Sequence, residues 1–583
     1  MKNLIFATIL FFSTILNFLG QTNYYVDKIT GNDLNNGTSL ATAWKTIQKA
    51  CNSATPNSTV QIKGATYNEN IIVNVSGTAP NPITFRNYMN DVVLIDGTGT
   101  AGTTMLKITN KNYLYFQNLT LQNLTVNMAQ GILIETTGSN TSTTLSFKNI
   151  TIKNINWINN PLTIPSSTNN AQGFIAYGRN GGITNVIIDS CQIYKNILGF
   201  SEALSLDGNV NGFIIKNCQV HDNTNIGIQI GGNYNISTNP ATDHARNGLV
   251  TNNTCYKNVS LYATSAGIYV DGGKSTIVEK NISYENGNGI EIGCEENGTT
   301  DSITVKNNLI FNNQVTGLYV GGYTTLTTGQ VLNSVLRNNT LFQNNSANDG
   351  TGELSVSKAS FCTFENNIFY TNSQNILMSM LSITPQANNT LNYNCWYTPS
   401  ANSNSISVNW KTSVYNSFSS YLSGTLQEAN SIYNNPLLTN TILPSPALLI
   451  LPASPCINTG KPITLISSGE SDYDGNARII GGIIDIGAYE ISTLGINGID
   501  PYENRIFVFP NPFTSETFFL FNSELKNAEL KVYDMRGQEI KEVKSIFRKQ
   551  ITINRNNLPS GIYIYRLIQD NKMIATGKLI ITD

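Results

Sequence analysis

The sequence is poor in charged side chains, which make up 12% of its 583 residues, and its formal net charge is -2. Because there is no basic excess, we expect neither a nucleic-acid partner nor an electrostatic membrane surface. Histidine occurs only twice and there is no CxxC or Cys/His cluster, so no zinc site is expected. Eight cysteines in so long a chain are too sparse for a disulfide scaffold.

Long hydrophobic runs are also lacking, apart from one at the N-terminus. Residues 1–20 read MKNLIFATILFFSTILNFLG, a lysine followed by an apolar run and small residues, which is typical of a secretory signal peptide. The apolar run is short for a membrane span, and no later segment reaches the ~20 apolar residues that a span needs. We therefore predict an exported protein without a transmembrane segment.

What the chain does contain is a repeat of short alternating segments. Alternation without a helical period indicates β-strands, and segments that all begin alike indicate a solenoid of stacked parallel strands. GIYVD at 267, GIEIG at 289 and GLYVG at 317 are separated by 22 and then 28 residues, so the coils carry loops of variable size. Similar segments begin at Gln130, Gln172, Glu202, Ile226, Ala266, Asn288, Thr316 and Gly352.

Asparagine recurs at the turns between these strands. We expect the stacked coils to align these residues into amide ladders that satisfy the turn backbone, a structural role and not a catalytic one. The positions are Asn196, Asn223, Asn258 and Asn286, and also Asn253, Asn281, Asn308, Asn339 and Asn367.

From Tyr24 to Glu490 the repeats resemble the pectate lyase-like superfamily of right-handed parallel β-helix proteins. The segment WKTIQKA is similar to the helix that caps the open end of such solenoids, and SPCINTG with DYDGNARIIGGIIDIGAYE is similar to their closing pattern. The resemblance implies an all-β fold, a right-handed parallel β-helix solenoid followed by a small C-terminal β-sandwich.

From Phe507 the segments VFPNPF, LKVYDMRGQEI and LPSGIYIYRL resemble the type A C-terminal sorting domain of the type IX secretion system of Bacteroidetes. This resemblance implies contact with the secretion machinery and passage through the periplasm and outer membrane, to the medium or the cell surface. The predicted divisions are a signal peptide (1–20), the β-helix with its N-terminal cap (21–490), a linker (491–506) and the sorting domain (507–583).

Alternation assigns the outward residues of the repeat. If the aliphatic residues of GIYVD and GIEIG face the core, Tyr269, Asp271 and Glu291 face outward. Two outward columns follow from stacking the coils. The first contains Ser205, Gln229, Tyr269, Glu291, Tyr319 and Ser355, and the second Tyr177, Asp207, Gly231, Asp271, Gly293, Gly321 and Ser357.

A carboxylate between tyrosines favours a carbohydrate groove, since aromatic rings pack on sugar C–H faces and acidic groups accept from hydroxyls. We expect the glycines of the second column to leave open floor, with loops 233–247, 294–301 and 323–330 as walls. The other interpretation is an ordinary solvated surface. The candidate substrate-binding residues are Tyr269, Tyr319, Gln229, His244 and Lys358; His221 is expected in a turn.

Two chemistries remain open for this groove. Asp271 and Glu291 lie one rung and two residues apart, roughly 8 Å between Cα atoms, which is compatible with the carboxyl pair of an inverting glycosidase. A lyase instead needs a cation beside the uronate and a base for the C5 proton. Asp207 and Asp271 are the candidate Ca²⁺ ligands, and Lys274, Arg246 and Lys358 the candidate bases.

By analogy with the superfamily, the leading prediction is a polysaccharide lyase that cleaves a uronic-acid-containing polysaccharide by Ca²⁺-assisted β-elimination. The candidate catalytic residues are Asp271, Glu291, Lys274 and Arg246. An inverting glycoside hydrolase in the same groove and a non-catalytic adhesin or glycan-binding β-helix are the alternatives. No motif allows catalytic residues to be transferred individually.

Overall fold

A computed structural model describes most of the chain. The described residues are 21–322, 329–399, 406–444, 446–461, 470–480, 482–491, 506–509, 511–521, 525–547, 550–570 and 572–582. The signal peptide predicted for 1–20 and nearly all of the linker predicted for 491–506 lie outside these ranges.

The main body is a right-handed parallel β-helix, which confirms the predicted fold class. Successive coils add one strand to each of three faces. The strands of neighbouring coils pair in parallel, and equivalent residues of the repeat lie side by side. The first face is built from Ile71–Val73, Thr104–Thr109, Ala129–Glu135, the first part of Ala171–Asp189, the first part of Leu204–Lys216, Ile228–Gly231, Ala266–Asp271, Asn288–Cys294, Leu318–Gly322, Leu354–Val356, Ile376–Met380 and Ser407–Trp410.

The second face continues from the first without a break in two coils, where one long strand bends around the corner. Its strands are Thr22–Val26, Ser58–Ile62, Ile83–Asn87, Leu114–Gln117, Ser142–Lys148, the later parts of Ala171–Asp189 and Leu204–Lys216, Arg246–Thr251, Lys274–Glu279, Thr299–Asp301 with Thr304–Lys306, Gln330–Leu332 with Val335–Arg337, Ala359–Ser360 with Thr363–Glu365, and Thr390–Asn392.

The third face is a separate parallel sheet. It comprises Ala65–Tyr67, Val93–Asp96, Thr120–Thr125, Thr151–Asn156, Gln192–Tyr194, Gln219–His221, Thr254–Tyr256, Ile282–Tyr284, Leu309–Phe311, Thr340–Phe342, Ile368–Tyr370, Cys395–Tyr397 and Ile432–Tyr433. His221, expected in a turn, lies in one of these strands, where its ring stacks between Tyr194 and Tyr256 at centroid distances of 5.0 and 4.5 Å.

Helices are short and lie at the ends of the solenoid. Ile47–Ser53 begins three residues after the start of the predicted WKTIQKA helix and buries Ile47, Ala50 and Cys51 against the first coils. Thr46 caps it by accepting from the backbone N–H of Lys49. Near the other end lie Phe418–Thr425 and a short strand, Ser413–Tyr415, that pairs antiparallel. A 3₁₀ turn covers Leu40–Thr42.

The interior is filled by the aliphatic residues that the alternation predicted. Ile268, Val270, Ile290 and Ile292 are all fully buried. All eight cysteines are buried and free. A second apolar cluster joins the chain segment around 438–491 to the third face, where Leu448 and Ile486 pack near Phe342.

Two asparagine ladders run along the turns, as the sequence predicted. In each, the side-chain amide donates to the side-chain oxygen of the next asparagine, at 2.8–3.2 Å in the first ladder and 2.9–3.2 Å in the second. The first ladder consists of Asn196, Asn223, Asn258, Asn286, Asn313 and Asn344, and the second of Asn253, Asn281, Asn308, Asn339, Asn367 and Asn394.

Each ladder ends on a buried glutamate. Glu353 accepts from both the backbone and side-chain N–H groups of Asn344, and Glu428 accepts from the amide of Asn394. Because all the amides donate in the same direction, the last one needs an acceptor, and the carboxyl oxygens of the glutamate supply it. The sequence pattern predicted the ladders but not these terminal glutamates.

The C-terminal part is a small antiparallel β-sandwich. One sheet contains Ile506–Phe509, Glu516–Phe521 and Gln550–Asn554, and the other contains Ala528–Tyr533, Glu539–Ile546, Gly561–Gln569 and Lys572–Ile581. Its own apolar core includes Phe519, Leu530 and Leu567.

Replacing a mid-ladder residue by alanine, Asn308→Ala, is expected to destabilise the protein by about 2–4 kcal/mol because buried donors and acceptors lose their partners. The Asn308 amide donates to Val278 O, Lys306 O and Asn339 Oδ1, and its oxygen accepts from Asn281. Chemical denaturation measures the loss, with the exposed Asn159→Ala as the control. Equal midpoints for the two variants would contradict a stabilising role of the ladder.

Candidate active site

A cleft of about 830 Å³ lies over the outward side of the first face. The strand register places the two columns as the sequence predicted. Gln229 is beside Tyr269, Tyr269 beside Glu291, and Glu291 beside Tyr319. In the second column Tyr177 is beside Asp207, and Asp271 lies between Gly231 and Gly293.

The cleft has walls because two loops leave the ends of the strands. The loop at 232–245 follows Ile228–Gly231, and Asp243 holds it by accepting from the backbone N–H groups of Asn235 (2.6 Å) and Ser237 (2.8 Å). This clamp positions Tyr234, which lines the cleft. The shorter loop at 295–298 follows Asn288–Cys294 and contributes Glu295. The third expected wall, 323–330, lies mostly outside the described residues.

Asp271 is fully buried and does not line the cleft, although the sequence pattern placed it on the groove surface as a catalytic group. Its Oδ1 accepts from the backbone N–H of Glu295 at 2.9 Å, and its Oδ2 accepts from the Tyr234 hydroxyl. Asp271 therefore ties both loops to the sheet and positions the residues that do face the cleft.

Among the described lining residues, the side chains that can carry a charge near neutral pH are all carboxylic acids. Glu202, Asp207, Glu291 and Glu295 all line the cleft. Burial raises the pKa of Glu291 to about 8 and those of Asp207 and Glu295 to about 7, and it raises the pKa of Glu202 well above its ordinary value. The neighbouring carboxyl groups raise these pKa values further, since like charges in one cleft disfavour ionisation.

Glu291 and Glu295 differ in their hydrogen bonds. Glu291 Oε2 accepts from the side-chain amide of Asn288 at 2.8 Å. Glu295 is held through its backbone by Asp271, and a hydrogen bond with Tyr269 favours its ionised form. The site thus contains one carboxyl group that retains its proton at neutral pH beside another that titrates near neutrality.

Gln229 lies between Glu202 and the buried Asp271. One end of its amide lies 3.0 and 3.1 Å from the two carboxyl oxygens of Glu202, and the other end lies 3.3 Å from Asp271 Oδ2. If Glu202 is protonated, Gln229 accepts from it and donates to Asp271; if Glu202 is ionised, the amide donates to Glu202 instead. The orientation of Gln229 therefore depends on the protonation of Glu202.

Aromatic side chains form much of the apolar part of the cleft, together with aliphatic residues such as Ile226, Ile236 and Val315. Tyr319, whose hydroxyl lies 2.9 Å from Ser357 Oγ, is half-buried, whereas Tyr269 is only 3% exposed. The remaining aromatic lining residues are Tyr177, Phe200, Tyr234 and Tyr262.

The glycines of the second column do not leave open floor as expected. A Cβ at Gly231 would lie 1.7 Å from Asp207 Oδ1, and one at Gly293 would lie 2.8 Å from the Tyr269 hydroxyl. Neighbouring side chains lean into these spaces, so the glycines determine where Asp207 and Tyr269 lie.

The predicted basic residues are not in the cleft lining. Arg246 donates to Asn209 Oδ1 (3.0 Å) and His244 O (3.1 Å) and closes the base of the 232–245 loop. Lys274 is adjacent to Arg246 on the second face. His244 is 4% exposed, and burial, followed by the charges of Lys274 and Arg246, lowers its pKa to about 4. Lys358 is also buried and outside the lining.

The residues present do not fit the expected Ca²⁺ site at Asp207 and Asp271. Both oxygens of Asp271 already accept hydrogen bonds within the protein. Only Asp207 Oδ1 is without a partner, whereas Ca²⁺ requires about six to eight oxygen ligands. Across the described part of the chain, no three His, Cys, Asp or Glu side chains are arranged to hold a metal ion.

Sequence reasoning did not assign a role to Glu202 or Tyr234, and it treated Glu295 only as part of a loop wall. Glu202 precedes its strand and is outside the alternation used to assign the columns. Tyr234 comes from an insertion whose path the repeat does not determine. The one sequence signal was the length of the 232–245 insertion, which interrupts otherwise compact coils.

Residues 507–582 match the family of secretion system C-terminal sorting domains. The chain is therefore an exported β-helix protein that is released or retained at the cell surface. Within the described ranges, no helix has the length and hydrophobicity needed to cross a membrane.

The chain is 32% identical over 437 residues to the uncharacterized protein YwoF of Bacillus subtilis (strain 168), an alignment that covers 73% of this chain and 90% of the relative. The chain belongs to the YwoF family.

Among solved structures, the pectate lyase Pel9A is similar with a TM-score of 0.41 and 16% identity, covering 80% of this chain and 96% of that one. The GH136 lacto-N-biosidase from Eubacterium ramulus has a TM-score of 0.41 and 14% identity, covering 64% of each chain. At these scores the likeness assigns neither a substrate nor a catalytic residue to this chain.

The raised carboxyl pKa values predict that stability falls as the pH rises from about 5 to about 8. The folded chain retains protons that the unfolded chain releases above the ordinary carboxyl pKa values of 3.8 (Asp) and 4.5 (Glu). The stability from this proton retention is complete below the ordinary pKa of each group and is lost as the pH passes the folded values of about 7 (Asp207) and about 8 (Glu291). A tenfold difference in proton affinity between the folded and unfolded chain corresponds to about 1.4 kcal/mol of stability.

Thermal melting at pH 5 and pH 8 measures this loss. Glu291→Gln, which is neutral at both pH values, should lose less stability over this range than the wild type does. Glu285→Gln, on the third-face side of the same coil, is the matched control and should behave like the wild type. A Glu291→Gln variant with the same pH dependence as the control would contradict the raised pKa.

Proposed function

We propose that the protein is a secreted glycoside hydrolase acting on a glycan that carries no acidic groups. The observation that carries this proposal is the composition of the cleft. Its lining combines the carboxyl groups of Glu202, Asp207, Glu291 and Glu295 with tyrosine rings, and none of its described residues is Lys, Arg or His.

Charge favours hydrolysis over the lyase chemistry that leads the sequence-based prediction. A uronate polymer would bring carboxylates into a cleft already lined by carboxyl groups, and like charges repel. β-Elimination also needs a group that neutralises the substrate carboxylate and a base at C5. The described lining offers no basic side chain for either task. A neutral or cationic glycan does not face this obstacle.

Glu291 is the proposed general acid. Its pKa of about 8 keeps it protonated at neutral pH, and Asn288 fixes one of its oxygens at 2.8 Å. A protonated carboxyl group beside the glycosidic oxygen transfers its proton to the leaving group as the bond breaks.

Glu295 is the proposed partner, which is ionised when it activates water or attacks the anomeric carbon. Burial raises its pKa to about 7, whereas the hydrogen bond with Tyr269 favours the carboxylate. Asp271 is a positioning residue: it accepts a hydrogen bond from the backbone N–H of Glu295 and so holds Glu295 in place. Acid–base hydrolysis requires two carboxyl groups with different pKa values, and Glu291 and Glu295 have them because their surroundings differ.

Aromatic residues at both ends of the cleft support a sugar chain as the ligand. Tyr177 and Tyr319 lie on separate coils of the sheet, and Phe200 packs edge-on against Tyr262 at a centroid distance of 5.2 Å. Rings spaced along a groove pack against the C–H faces of successive sugar units.

The test is release of reducing ends from a panel of neutral, amino-sugar and uronate polysaccharides. Glu291→Gln and Glu295→Gln should each reduce kcat by about 10²–10⁴-fold, whereas Glu296→Gln, next in the loop but outside the lining, should retain activity. Because the acid works below about pH 8 and the base above about pH 7, the pH profile should be a bell with its maximum between these values.

Three results would overturn the proposal. New absorbance near 235 nm on a uronate polymer, without hydrolysis of other glycans, would mean a lyase. Activity that survives Glu291→Gln and Glu295→Gln would move the chemistry to other residues. Binding of glycans without any bond cleavage would favour the adhesin or glycan-binding alternative.

A further inference from the structure

Several buried hydrogen-bond acceptors in the cleft have no partner within the protein. These atoms are Asp207 Oδ1, Asn225 Oδ1 and Asn288 Oδ1. Their residues are 7%, 4% and 1% exposed, and all of them line the cleft. A buried acceptor without a donor costs free energy, so these atoms indicate a ligand that donates hydrogen bonds.

Asp207 is held in place with one oxygen unpaired. Its Oδ2 accepts from Ser205 Oγ at 2.8 Å. Its Oδ1 lies over Gly231, where a side chain would have to stand 1.7 Å away. The absence of a side chain at Gly231 therefore lets the Asp207 carboxyl group lean along the column and leaves Oδ1 buried and unpartnered.

Further acidic groups surround this end of the cleft. Glu202 lines it and contacts Gln229, whose amide lies 3.0 Å from a Glu202 oxygen. Asn225 is fixed by donating from its amide nitrogen to Ser201 O at 3.1 Å, which leaves its oxygen as the unpaired atom.

Three tyrosine hydroxyl groups of the cleft are hydrogen-bonded within the protein, and the Tyr177 hydroxyl accepts from the Gln172 amide at 2.8 Å. Tyr234 donates to Asp271, Tyr262 donates to the carbonyl of Gly199, and Tyr319 is bonded with Ser357. Among the described lining residues, the buried side-chain atoms that lack a partner are all acceptors.

We propose that the Glu202 and Asp207 end of the cleft recognises the ammonium group of an amino sugar, so that the substrate class is a glycan containing unacetylated hexosamine. An ammonium group has three donors and no acceptor, and its charge complements the carboxyl groups that face it. The hydroxyl of a neutral sugar supplies one donor and brings acceptors of its own. This inference rests on the proposed function, because it names the substrate of the same cleft.

Ammonium binding has a measurable consequence for protonation. A cation beside Asp207 and Glu202 favours their ionised forms. Burial holds the pKa of Asp207 at about 7 in the free protein, so part of this group is protonated at neutral pH. At a pH where the ligand amine is already an ammonium ion in solution, binding should therefore release protons to the buffer, which a neutral ligand would not do.

The experiment is titration calorimetry at pH 6, where the ligand amines are ammonium ions, with a β-1,4-linked glucosamine tetrasaccharide and its fully N-acetylated counterpart. The full-length chain carries Glu291→Gln, so that binding is measured without turnover. The glucosamine ligand should bind at least about tenfold more tightly, as expected of charge-assisted hydrogen bonds. Its affinity should fall as salt is raised, and its heat should differ between buffers of different ionisation enthalpy because protons are released.

Substitutions test which side chains bind the ammonium group. Adding Asp207→Asn, which preserves the shape of the side chain, should abolish most of the preference for the glucosamine ligand while binding of the N-acetylated ligand changes little. Glu202→Gln provides a second, independent substitution at the same end. Glu296→Gln is the matched control and should retain the preference. Circular dichroism and melting curves establish that each variant is folded.

The outcomes separate the two proposals. Equal affinity for both tetrasaccharides, or a preference that survives Asp207→Asn and Glu202→Gln, would overturn the ammonium site. So would CaCl₂ alone binding at this end and displacing the glucosamine ligand. A glucosamine preference without hydrolysis would overturn the proposed activity and retain this inference. Hydrolysis of neutral glycans without a preference for the glucosamine ligand would overturn the ammonium site and retain the proposed activity.

Discussion

The fold depends on the directional hydrogen bonding of the two asparagine ladders. A parallel β-helix turns its chain in every coil, and each turn leaves backbone groups that the strands cannot satisfy. In this protein Asn308 and its equivalents donate to backbone carbonyl groups as well as to the next ladder residue. The ladders thereby hold neighbouring coils in one register, and that register aligns the columns of the cleft. Glu353 and Glu428 complete the ladders where the donors would otherwise lack an acceptor.

The regular coils and their loop insertions make different contributions to the cleft. The coils place Gln229, Tyr269 and Glu291 one above another at the spacing of the strands. The insertions bury part of these columns, and Asp271 joins the two loops by accepting from Tyr234 and from the Glu295 backbone. Burial is what changes the chemistry, since a carboxyl group on a bare solenoid surface would ionise near its ordinary pKa.

The repeat was sufficient to predict the solenoid, the buried Ile268 and Val270, the asparagine ladders and the order of residues in both columns. These features follow from local alternation and stacking, which a sequence displays directly. The exposure of the columns was not predictable in this way. Tyr269 and Asp271 face outward by alternation, yet both are buried. Tyr234 of loop 232–245 covers Asp271, and the path of that loop depends on contacts such as those of Asp243. Glu202 was overlooked because it precedes its strand.

The glycine at position 231 has a consequence for how this cleft can be recognised in other chains. Gly231 contributes no side chain, yet its missing Cβ is the space that Asp207 Oδ1 occupies. An alanine here would push against the carboxyl group and turn it away from its present position. A member of the YwoF family that shares the acidic end of the cleft is therefore better identified by an aspartate and a glycine on adjacent coils than by the aspartate alone. In this pair the aspartate supplies the carboxyl group, and the glycine leaves the space that the carboxyl group occupies.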